Sequence, residues 1–392
     1  MKKIFIIALI LIASACPGRA EVTVGAERTG LYLPQLQGKR VALLSNHTGL
    51  VNGYKEHTLD MLLRNGVNVT TIFSPEHGFR GTADAGAHVK SSVDTKTGIP
   101  IASLYNGKGS TMPAPEVMKG FDVIVCDLQD VGTRFYTYYI TMLRLMNAAA
   151  KYGKEFVVFD RPNPIGMMVD GPVLDMSLKS GVGALPIPVA HGMTLGELAR
   201  MIKGEKWLDS GRELELTVVP CEGYTHATRY ELPVAPSPNL KSMKAIYLYP
   251  STCFFEGTPL SLGRGTEMPF EIYGHPAMRG GNFTFTPKSM PGATNPPLKG
   301  KLCHGKDLRG MQEDEIIARG VDFSYIIDAY RNTRLPSSTP FFTNFFNLLT
   351  GNRNICKMIE QGASAADIRA TWTDDVEAFK RRRAPYLLYP EN

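Results

Sequence analysis

The chain has 392 residues, of which 43% are hydrophobic and 20% charged, with a formal net charge of +6. This length and balance suit about two globular domains and exclude a disordered or low-complexity chain. The positive charge is modest and scattered, whereas nucleic-acid binding needs a clustered basic face.

The first twenty residues read as an export signal. Met1-Lys2-Lys3 is a basic start, Ile4 to Ala15 is a short apolar stretch, and Gly18-Arg19-Ala20 offers small-residue cleavage before Glu21. Removing them lowers the formal charge to +3, since Lys2, Lys3 and Arg19 are lost. Cys16 follows small residues and offers lipid anchoring as an alternative, though Ala13 is a poor match three positions earlier. The expected location is periplasmic or secreted. No later segment is long and apolar enough to cross a membrane. Beyond the leader, Cys126, Cys221, Cys253, Cys303 and Cys356 remain; they are sparse, odd in number and without a CxxC pair. They predict neither a disulfide framework nor a structural zinc site.

Four apolar, β-branched runs each end in polar residues. Val41 to Leu44 leads to Ser45-Asn46-His47, and Val67 to Phe73 to Ser74-Pro75-Glu76. Val123 to Cys126 ends in Asp127, and Phe156 to Phe159 in Asp160-Arg161-Pro162-Asn163. Such runs suit parallel strands covered on both faces. Helical spacing appears between them at His57 to Arg64 and Tyr138 to Tyr152. A third helix starts at Thr194, where Thr194 and Glu197 form a capping-box pattern. Leu214 to Val219 predicts a further strand. The alternation predicts an α/β chain with a Rossmann-like, doubly wound sheet over 21–235. Pro233, Pro236 and Pro238 mark a boundary. Beyond it, 236–392 reads as a smaller α+β auxiliary domain, with helices at Phe342 to Leu349, Asn354 to Glu360 and Ala365 to Phe379. The basic run Lys380 to Arg383 reads as a solvated helix end.

In open α/β sheets ligands bind at the carboxyl ends of the strands. The four polar strand ends are therefore expected to converge. They bring Asn46; Glu76, His77 and Arg80; Gln129, Asp130 and Arg134; and Asp160, Arg161 and Asn163. Tyr136, beside these carboxylates, suits a sugar face. His191 is a further candidate. The glycine-rich loop Phe255 to Glu271 adds Glu256, Arg264 and Glu271, and long loops in compact domains tend to be functional. Glycoside hydrolysis needs two carboxyl groups, so Glu76 is paired with Glu256 or Glu271 across an interdomain cleft. A GxSxG elbow, a P-loop, a dinucleotide fingerprint and HExxH are all missing, which argues against a serine hydrolase, a nucleotide enzyme and a zinc peptidase.

Several of these stretches carry a resemblance: SNHTGL from Ser45, SPEHGFRG from Ser74, DLQDVGTRFYTY from Asp127 and DRPNP from Asp160. GPVLD from Gly171, HGMTLGELA from His191, PSPN from Pro236, EGTPLSLGRGTEMPFE from Glu256 and PYLLY ending at Tyr389 complete the set. In this order they resemble the exo-β-N-acetylmuramidases of glycoside hydrolase family 171. His47 stands where many relatives carry glutamine. The resemblance implies a secreted bacterial enzyme whose active site lies between a Rossmann-like and an auxiliary domain. It implies release of terminal, non-reducing N-acetylmuramic acid from peptidoglycan fragments, with Glu76 catalytic. On this reading a partly buried Glu76 protonates the departing oxygen, and no metal or cofactor is required. The lactyl carboxylate of the sugar calls for a guanidinium partner, for which Arg80, Arg134, Arg161 and Arg264 compete. The main alternative is a non-catalytic envelope protein that binds peptidoglycan fragments.

Overall fold

The computed structural model describes residues 22–88, 90–106 and 111–392. The expected leader at 1–20 and the anchoring candidate Cys16 lie outside the described residues. Seven strands form the main sheet: β1 (Arg40–Ser45), β2 (Asn68–Ser74), β3 (Ser92–Val93), β4 (Pro100–Ser103), β5 (Val123–Asp127), β6 (Glu155–Phe159) and β7 (Leu216–Val219). Their spatial order is β3-β4-β2-β1-β5-β6-β7. All neighbouring pairs are parallel except β3 with β4. The six parallel strands thus run outward from β1 on one side and then on the other, which is the Rossmann-type winding. The apolar runs read from the sequence are β1, β2, β5 and β6, and in β1, β5 and β6 the residues after the first are fully buried.

Helices α1 (Thr58–Arg64), α2 (Tyr138–Tyr152) and α3 (Leu195–Gly204) pack on this sheet. His57 caps α1 by accepting the Leu59 N–H. Both halves of the expected Thr194/Glu197 capping box are present on α3. α2 stops where Gly153 turns left-handed.

The later part adds α4 (Met243–Thr252) and a three-stranded antiparallel sheet of β8 (Ile272–His275), β9 (Phe283–Phe285) and β10 (Cys303–Asp307). Six helices follow: α5 (Glu313–Arg319), α6 (Ser324–Asn332), α7 (Asn344–Thr350), α8 (Ile355–Glu360), α9 (Ala365–Ala370) and α10 (Thr373–Arg383). The single helix expected over Ala365 to Phe379 is therefore two. Between them Trp372 is buried and its indole N–H bonds Asp170 at 2.8 Å. The basic end of α10 is not wholly solvated: Arg383 is buried and donates to the Gly192 carbonyl.

One apolar cluster runs from Ala42 and Phe73 through α2 to Phe254, Phe346 and Phe379. Phe135 of the first part meets Tyr249 and Phe254 of the second at ring distances of 5.2 and 5.8 Å. The C-terminal tail also returns to the first part, where the Tyr389 hydroxyl donates to Asp160 at 2.6 Å. Cys126, Cys221, Cys253, Cys303 and Cys356 are free thiols. Among the described residues no helix is long and apolar enough to cross a membrane.

Candidate active site

β2 delivers the chain to Ser74-Pro75, and the next residue, Glu76, is 9% exposed. The loop then turns sharply, with His77 at φ 67° and Gly78 at φ 78°. A side chain held in the left-handed region is strained, and strain of this kind concentrates at functional sites. Oε1 of Glu76 accepts the Gly86 N–H at 2.8 Å, and Oε2 accepts the Thr137 hydroxyl at 2.6 Å. Gly86 sits at φ 72°, a conformation that its missing Cβ makes cheap. Thr137 is the residue at which α2 begins. Tyr105, just beyond β4, completes this wall; burial and the adjacent Glu76 push its phenol pKa up. The end of β2, the loop after it, the segment just beyond β4 and the start of α2 thus converge on one carboxylate.

Another part of the lining comes from the later part of the chain. Glu256 lies in the single-turn helix that follows α4. Its Oε1 accepts from Arg264 Nη2 at 2.6 Å and Nε at 3.1 Å. Burial opposes the Arg264 charge, but the Glu256 carboxylate more than offsets this and holds its pKa above the ordinary value. The guanidinium also lies over the Phe270 ring, 5.1 Å from its centroid. Phe135, Tyr136, Tyr249 and Phe270 supply an apolar floor through edge-on contacts. The Tyr136 and Tyr138 hydroxyls both donate to the Pro236 carbonyl, at 2.8 and 3.1 Å, tying the proline-rich crossover to the floor.

Residues 292–297 form a third wall, and there the Thr294 N–H and hydroxyl both donate to Asp84. The cleft these residues line holds about 550 Å³. An apolar cavity of that size with a few convergent polar groups suits one or two sugar rings.

Of the residues expected from the sequence, Glu76, His77, Tyr136, Glu256 and Arg264 line this cavity. His77 Nδ1 donates to the Ala83 carbonyl at 2.7 Å, and burial lowers its pKa. The other ten candidates do not line it. The parallel sheet brings the four strand ends to one edge, but the molecule's own side chains fill three of them. Arg161 clamps Asp127 at 2.6 and 3.0 Å, with both side chains buried. Asn46 accepts from Thr48 and donates to the Tyr138 hydroxyl at 2.8 Å, behind the floor. Gln129 donates to the carbonyls of Asp130 and Pro162, and Asn163 to that of Met193.

Asp130 accepts the Gly132 N–H, and burial raises its pKa to about 7. Asp160 is held by Thr194, Gly196 and Tyr389, with its pKa raised by burial to about 6. His191 accepts the Met193 N–H, and its pKa is lowered by burial to about 3. Arg134 is wholly buried and donates to the carbonyls of Pro172, Ile187, Leu349 and Thr350. Arg80 is turned to solvent and paired with Asp94. Glu271 accepts from the Ser242 hydroxyl at the start of α4.

Sequence reasoning missed Tyr105, Thr137, Asp84, Tyr249 and the 292–297 wall. Thr137 follows Tyr136 in the run RFYTYY, where the aromatic rings give the stronger signal. Tyr105 follows a strand that begins with Pro100 and has no clear β pattern.

Two family models cover the chain in succession. "Exo-beta-N-acetylmuramidase NamZ, N-terminal" matches residues 41–244, and "Exo-beta-N-acetylmuramidase NamZ, C-terminal" matches residues 247–389. The peptidoglycan beta-N-acetylmuramidase NamZ of Bacillus subtilis (strain 168) is 39% identical over 376 residues, spanning 91% of this chain and 89% of its own. Crystal structures of two DUF1343 family proteins from Bacteroides fragilis NCTC 9343 are also similar. The first has a TM-score of 0.88 at 55% identity and covers 95% of this chain and 100% of its own. The second has a TM-score of 0.74 at 30% identity, covering 94% and 99%.

Proposed function

The chain belongs to the exo-β-N-acetylmuramidase NamZ family, and from that premise we propose that it releases terminal, non-reducing N-acetylmuramic acid from peptidoglycan fragments. The observation that carries the chemistry is the unlike setting of two carboxylates on one cavity. Glu256 shares its charge with the Arg264 guanidinium, while Glu76 is buried against neutral donors. Acid and base roles in glycoside hydrolysis fall to carboxyl groups whose surroundings differ in this way. Glu76, without a cation, is the proton donor to the departing glycosidic oxygen. Glu256, paired with Arg264, faces the developing positive charge at the sugar, or directs water or the substrate's acetamido group toward it. Tyr105 and Thr137 orient Glu76, and the aromatic floor takes the apolar face of the ring. Export by the expected leader fits a substrate built outside the cytoplasmic membrane.

The test is incubation with the disaccharide of N-acetylmuramic acid and N-acetylglucosamine, followed by NMR of the products. Free muramic acid should appear, and its first-formed anomer assigns the stereochemistry. An unchanged disaccharide at high enzyme concentration contradicts the proposal.

A further inference from the structure

Resting on that reading, we infer that Arg264 is the specificity residue: its free guanidinium edge receives the lactyl carboxylate that distinguishes N-acetylmuramic acid from N-acetylglucosamine. The two sugars differ only in that anionic ether at C3. A site that selects the first must offer a cation where the second offers a neutral hydroxyl.

Among the described residues on the cavity wall, the acidic side chains are Glu76, Asp84 and Glu256. On a wall with acidic side chains an anionic sugar is best placed beside a positive charge. Three of the four arginines that competed for this role are committed elsewhere. Arg80 is outside the cavity on Asp94, Arg134 is spent on four carbonyls, and Arg161 is locked to Asp127. His77 lines the cavity, but burial favours its neutral form. Arg264 remains.

The geometry of the group suits the task. A guanidinium has a side edge, Nε with Nη2, and an end edge, Nη1 with Nη2, and either can grip a carboxylate with two parallel bonds. Glu256 takes the side edge. Phe270 supports the cation from below. No hydrogen bond from Nη1 to a described residue is present, so the end edge is the one left for a ligand anion. An arginine bridging Glu256 and the lactyl group would also set the sugar's distance from the carboxylate that acts on it. The bland account is that Arg264 serves only to hold Glu256. The two accounts part on the acid-to-ester ratio, because loss of Glu256 positioning weakens both ligands together, whereas loss of a carboxylate subsite weakens the anionic one more.

The experiment is titration calorimetry with three probes: N-acetylmuramic acid, its lactyl methyl ester and N-acetylglucosamine. The full chain is compared with Arg264→Ala, Arg264→Gln and Arg264→Lys, each checked by thermal melting. Wild type should bind the acid roughly ten- to hundredfold more tightly than the ester or the glucosamine. The neutral variants should bind acid and ester about equally, whatever happens to the ester's own affinity, and Arg264→Lys should recover part of the preference. If the alanine variant fails to melt cooperatively, the glutamine and lysine variants with the acid–ester pair still decide.

A preference that survives in the neutral variants, or a wild type without one, overturns the inference. Release of muramic acid from the disaccharide is followed separately. A wild type that binds the acid selectively but releases nothing sinks the hydrolase reading and leaves the subsite standing. One that cleaves acid and ester glycosides equally does the reverse.

Discussion

Arg134 and Arg264 carry the same guanidinium into opposite circumstances. Arg134 has no solvent contact, and burial lowers its pKa to about 10, so it stays charged at neutral pH. Four backbone carbonyls from three separate segments accept its N–H groups, and Gly351 leaves it room: an added Cβ there would meet Nη2 at 2.7 Å. It is a structural rivet. Arg134→Met should leave those buried carbonyls unpaired and cost about 3 kcal/mol or more of stability, read by chemical denaturation; an unchanged midpoint would contradict this role.

His191 makes the matching case in pH. It stays neutral in the fold down to about 3, whereas the unfolded chain protonates it below about 6.5. The folded state therefore binds fewer protons between those values, and His191 loses stability for the molecule as pH falls from about 6.5 toward about 3. Relative to His191→Gln, wild type should lose about 1.4 kcal/mol per pH unit across that window. Parallel melting curves of the two proteins at every pH would refute it. Both residues were read as substrate ligands from the sequence. A polar residue at a strand end looks the same whether it faces a ligand or a neighbour's carbonyl. Only packing tells them apart.

At the scale of elements, the site is assembled from parts whose legibility varied. β2 and the turn after it were plain in VNVTTIFSPEHG, because a β-branched run meets a Ser-Pro break. The start of α2 was plain in position but not in purpose. β4 was missed because it begins with a proline at the sheet's edge region, and α4 because Pro250 lies inside it. Residues 292–297 gave no signal, since their contribution is a wall made by loop backbone and its grip on Asp84. That grip joins the first part's loop to the second part's loop at the cavity. Asp84→Ala should loosen it and raise KM for the disaccharide severalfold, with a smaller effect on kcat. Steady-state kinetics with both constants resolved would check this, and a fall confined to kcat would place Asp84 in the chemistry instead.

For the molecule as a whole, the Rossmann winding was readable because its strands are buried on both faces and therefore unusually apolar. The union of the two parts was less readable. It depends on contacts distant in sequence: Phe135 with Phe254, Tyr136 with Pro236, and Tyr389 with Asp160. Each is an ordinary side chain that acquires meaning only from a partner more than a hundred residues away, or in one case exactly a hundred. That union brings Glu256 onto the cavity that Glu76 lines, and the assignment of Glu76 as proton donor depends on it. The most direct measurement compares wild type with Glu76→Gln on two muramides, the natural disaccharide and an aryl glycoside whose phenolate departs without protonation. The account predicts a roughly 10²- to 10⁴-fold loss of kcat on the disaccharide and a much smaller loss on the aryl glycoside, with the fold intact by circular dichroism. Near-normal turnover of the disaccharide, or equal losses on both, would contradict it.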